Sequence, residues 1–367
     1  MPPVPGSDPD PRADDVPLAP LTTLELGGPA RHLVRARDDR AVSDAVAWAA
    51  ARGLPLVVLG GGSNLVVPDA GFDGVVLKIE TRGMTFGEGG LVTAAAGEPW
   101  GELVAATVAR GWAGLECLTG IPGLVGATPI QNVGAYGQEV GDVIREVRAL
   151  ERRTGRVVTL PASACGFAYR DSRFRRHPDE HVVLEVTFGL RPGGAPRIAY
   201  KELEDALAAR EIVGSARSLP VVADTVRALR ARKSMVIDPG DPNRRSVGSF
   251  FTNPIVDGEA FDALAARAVA AGVVTTPAEV PRFDAGDGRR KVPAAWLIER
   301  AGFTKGLRRG AVGISSAHAL ALVHHGGGTT AALLALAQEI EDGVRARFGV
   351  SLEREPIILG ATNVASG

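Results

Sequence analysis

Two glycine-rich segments have the composition of a site for a phosphate group or a flat polar ring. The first follows the apolar residues Val57, Val58 and Leu59. It consists of three glycines, a serine and an asparagine: Gly60, Gly61, Gly62, Ser63 and Asn64. Glycines adopt positive φ without a Cβ clash, and successive backbone N–H groups in such a turn bind an anion without Lys or Arg. We interpret this turn as a dinucleotide site. A tight structural corner is the alternative, because neither G-x-G-x-x-G nor G-x-x-x-x-G-K-[ST] is present.

The second segment, residues 114–137, is longer and contains six glycines together with Pro122. Glycine lowers stability in the interior of a helix or strand, and proline removes a backbone donor, so we expect an irregular backbone here. Such a backbone suits close approach to a flat polar ring system, but it also suits a buried structural loop. Glycine content alone does not choose between these two interpretations.

The order and spacing of seven motifs make the chain similar to a known family of flavoenzymes. The motifs lie at residues 21–28, 60–64, 120–137, 165–172, 248–254, 294–299 and 352–355. Together they resemble the UDP-N-acetylenolpyruvoylglucosamine reductase (UDP-N-acetylmuramate dehydrogenase) family of bacterial cell-wall synthesis. The position of Tyr200 resembles the subtype that closes a tyrosine loop over the substrate. Only about the first twenty residues fall outside the resemblance.

The chain departs from the family pattern at two positions. The family usually has a glycine pair before its Ala-Thr-Pro turn, whereas this chain has the single Gly126 ahead of Ala127. The family often has Lys before the Asn-Pro dipeptide, whereas this chain has Thr252 before Asn253. The first difference affects a loop backbone, and the second removes one charge that could contact a substrate.

The resemblance implies an FAD-dependent enzyme that uses NADPH to reduce UDP-N-acetylglucosamine enolpyruvate to UDP-N-acetylmuramate, a peptidoglycan precursor. It implies FAD contacts at Gly60, Gly61, Gly62, Ser63, Asn64, Gly120, Ile121, Pro122, Gly123, Gly126, Ala127, Asn132, Gly134, Ala135 and Tyr136. It implies substrate contacts at Tyr200, Lys233 and Asn253. Lys233 also belongs to a basic helix with Arg227, Arg230 and Arg232, and such a helix face is by default solvated.

Three residues are implied to carry the chemistry. Reduction of a conjugated carboxylate transfers hydride to one alkene carbon and a proton to the next, and it builds up enolate charge. Arg170 would stabilise that charge, because a guanidinium is permanently charged and binds carboxylate as a fixed fork. Ser249 would donate the proton, which a basic enolate carbon can take from a weak acid. Glu355 would face the other side of the enolate, as a protonated acid or through an ordered water.

Composition indicates an ordinary globular protein without a strong overall field. With 41 basic and 42 acidic residues, the net charge is −1, which predicts neither nucleic-acid nor membrane binding. The resemblance implies a small UDP-sugar as the partner. The two cysteines, Cys117 and Cys165, lack C-x-x-C spacing, and the histidines lie outside the motifs. We therefore predict no metal site and a cytoplasmic location. No feature indicates an oligomeric state.

We predict an α+β fold with a two-lobed FAD-binding α/β domain and a smaller C-terminal substrate-binding α/β domain. The predicted parts are a disordered, proline-rich tail at 1–20, the FAD-binding domain at 21–192 with lobes near 21–85 and 86–192, the substrate-binding domain at 193–335, and a C-terminal helix and strand at 336–367. Both glycine-rich loops should meet where the two lobes face each other. The final strand, at 356–360, should return to the first lobe and place Glu355 at the mouth of the cleft.

Hydrophobic periodicity and turn residues predict the main elements. Helices are predicted at 41–52, 100–109, 221–233 and 293–300, and strands at 54–59, 74–79, 91–96, 147–151, 156–160 and 182–190. A last helix carries an apolar stripe of Leu333, Leu336, Ile340, Val344 and Phe348. Thr329 or Thr330 should cap its beginning and Gly349 its end.

Two other functions are compatible with parts of the sequence. A flavin oxidase with a similar flavin lobe would often hold FAD covalently through a histidine near the glycine-rich loop, and residues 60–64 contain none. Flavin that stays on the denatured protein would indicate such an oxidase. A flavin or nucleotide-sugar binding module without catalysis is the second alternative. It predicts that replacing Ser249 by alanine leaves any activity unchanged.

Overall fold

The computed structural model describes residues 12–360 of the chain. The α-helices of this part are α1 (Asp39–Ala51), α2 (Trp100–Ala109), α3 (Ala162–Cys165), α4 (Arg173–Arg176), α5 (Lys201–Ala208), α6 (Leu219–Arg232), α7 (Gly258–Ala270), α8 (Ala294–Arg300) and α9 (Thr330–Phe348). Single turns of 3₁₀-helix lie at Ala19–Leu21, Glu88–Gly90, Glu116–Leu118, Val125–Ala127, Val140–Asp142, Gly214–Ala216 and Pro277–Glu279. None of the helices found between residues 12 and 360 is both long and apolar enough to cross a membrane.

The strands of the same part fall into two groups along the chain. The first group is β1 (Arg12–Pro17), β2 (Pro29–Ala36), β3 (Leu56–Leu59), β4 (Leu65–Val66), β5 (Phe72–Ile79), β6 (Met84–Phe86), β7 (Leu91–Ala95), β8 (Trp112–Ala113), β9 (Gly134–Ala135), β10 (Gln138–Glu139), β11 (Ile144–Glu151), β12 (Val157–Pro161), β13 (His181–Gly189) and β14 (Arg191–Pro192). The second group is β15 (Ile255–Val256), β16 (Phe283–Asp284), β17 (Arg290–Lys291), β18 (Arg308–Arg309), β19 (Val312–Ile314), β20 (Leu322–His324) and β21 (Ile357–Ile358).

The described chain divides into two compact units, and neither is continuous in sequence. The first unit comprises 12–16, Ala30–Gly61 and Asp73–Ile237. The second unit comprises Pro17–Pro29, Gly62–Phe72 and 238–360. This differs from the predicted linear division, because residues 193–237 belong to the first unit while residues 62–72 belong to the second.

The physical reason for the first difference is a small apolar core in the first unit. Leu203 of α5 and Val226 of α6 pack with Cys117 and Tyr136, which precede the predicted boundary. The Pro/Gly break at 191–196 therefore interrupts the secondary structure without ending the compact unit.

The first unit contains two sheets whose residues share one apolar core. A four-stranded sheet has the order β1-β2-β5-β3, with β3 parallel to β5. A five-stranded antiparallel sheet has the order β12-β11-β13-β7-β6. The core includes Trp48 of α1, Leu77 of β5, Trp100 of α2 and Phe188 of β13. Helices and strands alternate along this part of the chain as predicted, which gives the mixed α+β architecture.

The second unit is built around α9 and short antiparallel sheets. The sheet orders are β15-β17-β16 and β18-β19-β20, and β4 pairs in parallel with β21. Phe250 and Phe251 lie in its core with ring centroids 5.4 Å apart and an interplanar angle of 66°. The pairing of β21 with β4 confirms that the last strand returns to residues of the predicted first lobe, although both strands belong to the second unit.

Helix α9 forms where its apolar stripe predicts it. Leu333, Leu336, Ile340, Val344 and Phe348 are all buried. The Thr329 side chain accepts a hydrogen bond from the N–H of Ala332, and Gly349 ends the helix in the left-handed region at φ 75°. The caps therefore satisfy backbone groups at both helix ends, as the sequence predicted.

The prediction of a disordered tail over residues 1–20 is wrong for its last part. Residues 12–17 form β1 beside β2, and Ala19–Leu21 forms a turn of 3₁₀-helix. A hydrogen bond of 2.7 Å joins Asp14 to His32 in β2. High proline and aspartate content hid an edge strand, in which proline is tolerated. Residues 1–11 lie outside the described residues.

Most other predicted elements are confirmed to within a few residues. Helix α2 has the predicted bounds, and residues 238–246 form a loop without helix or strand. Helices α5 and α7 and the strand pair β19-β20 were not predicted from the sequence. Each missed strand in that pair has only three residues, which is too short for a clear alternating pattern.

Both cysteines should be unreactive in the folded protein. Cys117 and Cys165 are fully buried, and burial raises the pKa of the Cys117 thiol to about 12 and that of the Cys165 thiol to about 11. Because the thiolate is the reactive form, we expect no reaction with a dithiodipyridine reagent at mildly alkaline pH, and reaction of both thiols after unfolding. A thiol that reacts at the same rate before and after unfolding would contradict this burial.

Candidate active site

The two glycine-rich loops meet inside the first unit. Gly60 and Gly61 follow β3 directly, and a Cβ placed on Gly61 would lie 2.8 Å from the Cα of Gly123. A Cβ placed on Gly60 would lie 3.8 Å from the Cβ of Ala127 and 3.9 Å from a methyl carbon of Leu124. The predicted meeting of the loops is therefore confirmed, and glycine at 61 permits the close approach of two backbones.

Backbone hydrogen bonds hold the second loop against the start of α2. The N–H of Gly126 donates to the carbonyl of Ala96 at 2.9 Å, and the N–H of Trp100 donates to the carbonyl of Gly123 at 3.1 Å. A Cβ on Gly126 would lie 2.5 Å from the Cβ of Ala96. The single glycine at 126 is thus one position at which this loop requires the absence of a side chain.

A cavity of about 460 Å³ opens beside these loops. Its lining residues are Arg37, Lys78, Ile79, Glu80, Arg82, Gly97 and Leu124. Lys78 donates a hydrogen bond to the carbonyl of Gly60, and burial lowers the pKa of its ammonium group. Three cationic side chains and one carboxylate give the cavity an excess of positive charge, which suits a phosphate-bearing ligand.

These cations were not predicted from the sequence, although a signal for them exists. In β5 and the residue after it, Leu77 and Ile79 are buried while Lys78 and Glu80 are half-buried. This alternation is typical of a strand with one face in a core and one face on a polar space. Glu80 accepts hydrogen bonds from Arg35 and Arg37, so it also fixes part of the cavity wall.

Asn132 joins the second loop to residues that follow it in the chain. Its amide group donates to Glu139 at 2.8 Å and to the carbonyl of Ala168 at 3.0 Å, and its oxygen accepts the N–H of Gly141 at 2.9 Å. Asn132 is buried and has a positive φ of 45°. Its side chain therefore shapes the loop, and a direct contact between Asn132 and a cofactor stays a prediction.

The hairpin β9-β10 brings a predicted flavin residue against a predicted substrate residue. The rings of Tyr136 and Tyr200 pack edge to face, with centroids 5.5 Å apart. The ammonium group of Lys233 lies 5.9 Å from the ring centroid of Tyr136 and donates to Glu202 at 2.6 Å. Burial, together with the nearby charge of Glu202, raises the pKa of Tyr136 to about 12, so its hydroxyl stays protonated.

Arg230 differs from the solvated basic face that the sequence predicts. Its Nη2 donates to the carbonyl of Met235 at 2.8 Å, and within residues 12–360 its buried Nε has no hydrogen-bond partner. Burial lowers the pKa of Arg230 to about 10; Tyr136 opposes this shift, and the positive charge of Arg170 adds to it. Arg230 lies one helical turn after the buried Val226, and this spacing was the missed signal.

The Arg170 motif is anchored to the same hairpin. The guanidinium of Arg170 donates to the carbonyl of Gly134 at 2.9 Å, and its backbone has a positive φ of 54°. Ser172 begins α4, since its hydroxyl oxygen accepts the N–H of Phe174 at 3.1 Å, and this hydroxyl also donates to the carbonyl of Ile130 at 2.6 Å. These contacts fix Arg170 from both ends of its motif.

In the second unit, backbone pairing brings Ser249 and Glu355 to neighbouring positions. The N–H of Glu355 donates to the carbonyl of Phe250 at 2.9 Å, and the N–H of Thr252 donates to the carbonyl of Glu353 at 3.0 Å. These bonds pair the segment after Ser249 in antiparallel register with the segment before Glu355. Both side chains are half-buried, so they are reachable from solvent.

Two other predicted site residues, Asn253 and Asn64, lie close to this paired segment: Asn253 follows Thr252 in the chain, and Asn64 bonds to Ile357. The side-chain oxygen of Asn253 accepts the N–H of Ala294 at the start of α8, at 2.8 Å. The carbonyl of Asn64 accepts the N–H of Ile357 at 3.0 Å, two residues after Glu355. Gly62 has φ 66°, which favours glycine at the turn.

The predicted site residues therefore form two groups within the two units. The first unit holds Gly60, Gly61, Gly120, Ile121, Pro122, Gly123, Gly126, Ala127, Asn132, Gly134, Ala135, Tyr136, Arg170, Tyr200 and Lys233. The second unit holds Gly62, Ser63, Asn64, Ser249, Asn253 and Glu355. The described residues contain no group of three or more His, Cys, Asp or Glu side chains that could hold a metal ion.

Comparison with known proteins gives the class first. A family model described as an FAD binding domain matches residues 30–161, which include both glycine-rich loops and the cationic cavity. The crystal structure of UDP-N-acetylenolpyruvylglucosamine reductase from Thermus caldophilus covers 95% of this chain and 97% of its own, with a TM-score of 0.63 and 24% identity. This likeness shows the fold. The protein is an FAD-dependent oxidoreductase.

The sequence relatives give the family. A model described as UDP-N-acetylenolpyruvoylglucosamine reductase, C-terminal domain, matches residues 241–359. The reductase of that name from Streptomyces coelicolor is 50% identical over 346 residues, 94% of this chain and 90% of its own. The one from Saccharopolyspora erythraea is 51% identical over 350 residues, 93% of this chain and 94% of its own. The chain belongs to the UDP-N-acetylenolpyruvoylglucosamine reductase family, as its motifs predicted, and acts in peptidoglycan precursor synthesis.

The close approach of the two loops can be tested at Gly61. Replacing Gly61 by alanine places a methyl group 2.8 Å from the Cα of Gly123, so we expect a loss of about 1–3 kcal/mol of stability and a lower FAD content. Gly101 in α2 is the control, because a Cβ there has no neighbour within 4 Å. Gly101→Ala should keep full flavin absorbance, and equal flavin content in both variants would contradict the loop contact.

Proposed function

We propose that this protein reduces UDP-N-acetylglucosamine enolpyruvate to UDP-N-acetylmuramate, with NADPH as the reductant. The observation that carries the proposal is the antiparallel pairing of the segment after Ser249 with the segment before Glu355. Because this pairing places a hydroxyl donor and a carboxyl group at neighbouring positions, the two can act on one substrate carbon and its adjacent carboxylate.

The residues of the first unit fit FAD. A cationic cavity of about 460 Å³ has room for part of a dinucleotide, and the glycines at 61 and 123 leave the backbone bare beside it. Lys78, Arg37 and Arg82 would hold phosphate oxygens through their charge, while the loop N–H groups add neutral donors. FAD, when bound, supplies the hydride transfer between NADPH and the sugar nucleotide.

Arg170 is proposed to stabilise the enolate charge that develops on the substrate carboxylate. Its guanidinium is held by the carbonyl of Gly134, which limits its rotamers without neutralising its charge. A cation fixed in advance stabilises developing charge without reorganisation during the reaction. Arg230, buried nearby and electrostatically coupled to Arg170, adds positive potential to the same region of the first unit.

Ser249 is proposed to donate the proton to the enolate carbon, and Glu355 to face the enolate as an acid or through a water. Gly248, with φ 76°, and Phe250, whose N–H donates to Leu320 at 2.7 Å, hold the backbone on both sides of Ser249. A fixed backbone keeps the serine hydroxyl in one place, which favours proton transfer over a short distance.

Tyr200, Lys233 and Asn253 are proposed to hold the UDP-sugar. Lys233 suits a diphosphate because its ammonium is a compact charge with three donors. Asn253 uses its oxygen on Ala294, so its amide N–H groups would be the donors to the UDP-sugar. The first unit would thus carry most of the FAD contacts. We also propose a cytoplasmic location, because both cysteines are free thiols.

The first experiment follows NADPH absorbance with and without UDP-N-acetylglucosamine enolpyruvate. We expect oxidation that depends on the sugar nucleotide, and a fall in kcat of about 10²-fold or more in Ser249→Ala, the usual effect of losing a general acid. Ser351→Ala is the control, because Ser351 is an exposed serine of the same unit. Oxidation that needs only oxygen would indicate an oxidase, and flavin without turnover would indicate a binding module.

The substrate role of Lys233 is tested by Lys233→Met. Loss of a charged hydrogen bond to a diphosphate should raise KM for the UDP-sugar about 10- to 100-fold, with a smaller effect on kcat. Lys201→Met is the matched control, because Lys201 also pairs with an acid, Asp205 at 2.9 Å, but is exposed. If both variants change KM equally, the loss of any lysine charge explains the effect and the specific role fails.

A further inference from the structure

Glu116 is a fully buried carboxylate held by neutral donors. Its Oε2 accepts the N–H of Gly114 at 2.7 Å, and its Oε1 accepts the side-chain amide of Gln138 at 2.7 Å and the N–H of Arg197 at 2.9 Å. Removing an ionised carboxylate from water is costly, and these three bonds offset part of that cost. The carboxylate thereby joins three chain segments that are distant in sequence.

The neighbouring Cys117 completes the same junction. The N–H of Cys117 donates to the side-chain oxygen of Gln138 at 2.9 Å, and its thiol donates to the carbonyl of Arg197 at 3.2 Å. Burial keeps this thiol protonated by raising its pKa to about 12, so the donor is present throughout the physiological pH range. Both backbone polar groups of Arg197 are therefore bound by the glycine-rich loop.

Arg197 stands three residues before Tyr200, at the base of the segment that carries it. No helix or strand holds residues 193–200, and α5 begins at Lys201. Tyr200 itself is 44% exposed; its ring packs edge to face against Tyr136, and its carbonyl accepts the N–H groups of Leu203 and Glu204 at the start of α5. Between β14 and α5, the bonds to Arg197 and the packing of Ile198 against the core of Cys117 and Tyr136 hold the segment in place.

We propose that Glu116 is a positioning residue, which ties Arg197 to the glycine-rich loop and thereby sets the place of Tyr200 for the UDP-sugar. The inference rests on the proposed function to the extent that Tyr200 contacts this substrate. Glu116 touches neither substrate nor cofactor in this role. It acts through the backbone of Arg197, so its loss weakens substrate binding while the flavin loop keeps its other bonds.

A side-chain exchange isolates the bond to Arg197. In the double variant Glu116→Gln/Gln138→Glu, the amide group at 116 donates to the carboxylate at 138, and the oxygen at 116 still accepts the N–H of Gly114. The carboxylate at 138 still accepts the N–H of Cys117. The N–H of Arg197 now faces an amide donor instead of an acceptor, so only this link is lost.

Two measurements on the holoenzyme test the proposal. The first is the Kd of UDP-N-acetylmuramate or the enolpyruvyl substrate, read from the perturbation of flavin absorbance. The second is hydrogen exchange of the peptide that contains residues 197–200. We expect the double variant to raise Kd about tenfold and to speed hydrogen exchange in this peptide, with FAD content unchanged.

One control variant and a second pair of variants at Cys117 accompany the double variant. Asp142→Asn removes the exposed ion pair between Asp142 and the Arg197 side chain, at 3.0 Å, and should change neither measurement. If the double variant does not fold, Cys117→Ala removes the thiol donor to Arg197, and Cys117→Ser restores a donor. A higher Kd in the alanine variant and recovery in the serine variant support the proposal.

The outcomes separate the inference from the function on which it rests. Faster hydrogen exchange at 197–200 in the double variant, with no binding of UDP-sugars by the wild type, would refute the proposed function. It would still support the link between Glu116 and Arg197. Unchanged Kd and unchanged hydrogen exchange in the variants, with normal UDP-sugar binding by the wild type, would refute the positioning role of Glu116. A loss of FAD in the double variant would also overturn the proposal, because Glu116 would then act on the flavin loop itself.

Discussion

The contact between the backbones at Gly61 and Gly123 is the constraint on which the rest of the first unit depends. A side chain on Gly61 would overlap the Cα of Gly123, so the two loops can meet here only because residue 61 has no side chain. Their meeting leaves backbone N–H groups beside a cationic cavity. Two further contacts hold the loops: Lys78 binds the carbonyl of Gly60, and Gly126 packs on Ala96.

In the second unit, backbone pairing holds the proposed catalytic residues Ser249 and Glu355. Ser249 and Glu355 are about one hundred residues apart in the chain, and backbone hydrogen bonds between their neighbours bring them together. The same strand region continues into β21, which pairs with β4 after the first glycine run. Main-chain pairing fixes a position more firmly than a flexible surface loop, because each bond restricts two segments at once. The proposed proton donor therefore sits on rigid backbone.

The sequence predicts those features that depend on local chemistry. The α9 stripe and its caps, the bounds of α2 and the meeting of two glycine-rich loops follow from side-chain period, capping and positive φ. Motif order also predicts the family, because each motif preserves a local backbone shape. The pairing of the segments next to Ser249 and Glu355 is different, since nothing local in either motif encodes a hydrogen bond across the intervening chain.

The remaining errors arise where burial overrides local composition. Residues 12–17 look like a disordered tail from their prolines and aspartates, but they form an edge strand whose Asp14 pairs with His32. Arg230 looks like one of several solvated arginines, but its Nε is buried. Tertiary contacts decide both cases, and a single sequence carries only the spacing that permits them.

Buried charge in this protein indicates where ligand binding and stability are coupled. Burial lowers the pKa of Lys78 and of Arg230, which means that their charged forms are destabilised in the folded protein without a ligand. An anionic ligand beside either group restores the stability that desolvation removes, and it does so only in the folded state. Glu116 differs from these two cations, because three N–H groups of the chain itself donate hydrogen bonds to its carboxyl oxygens. This contrast is consistent with the roles proposed above, in which cations destabilised by burial bind an anionic ligand and a carboxylate bonded within the chain positions a backbone segment.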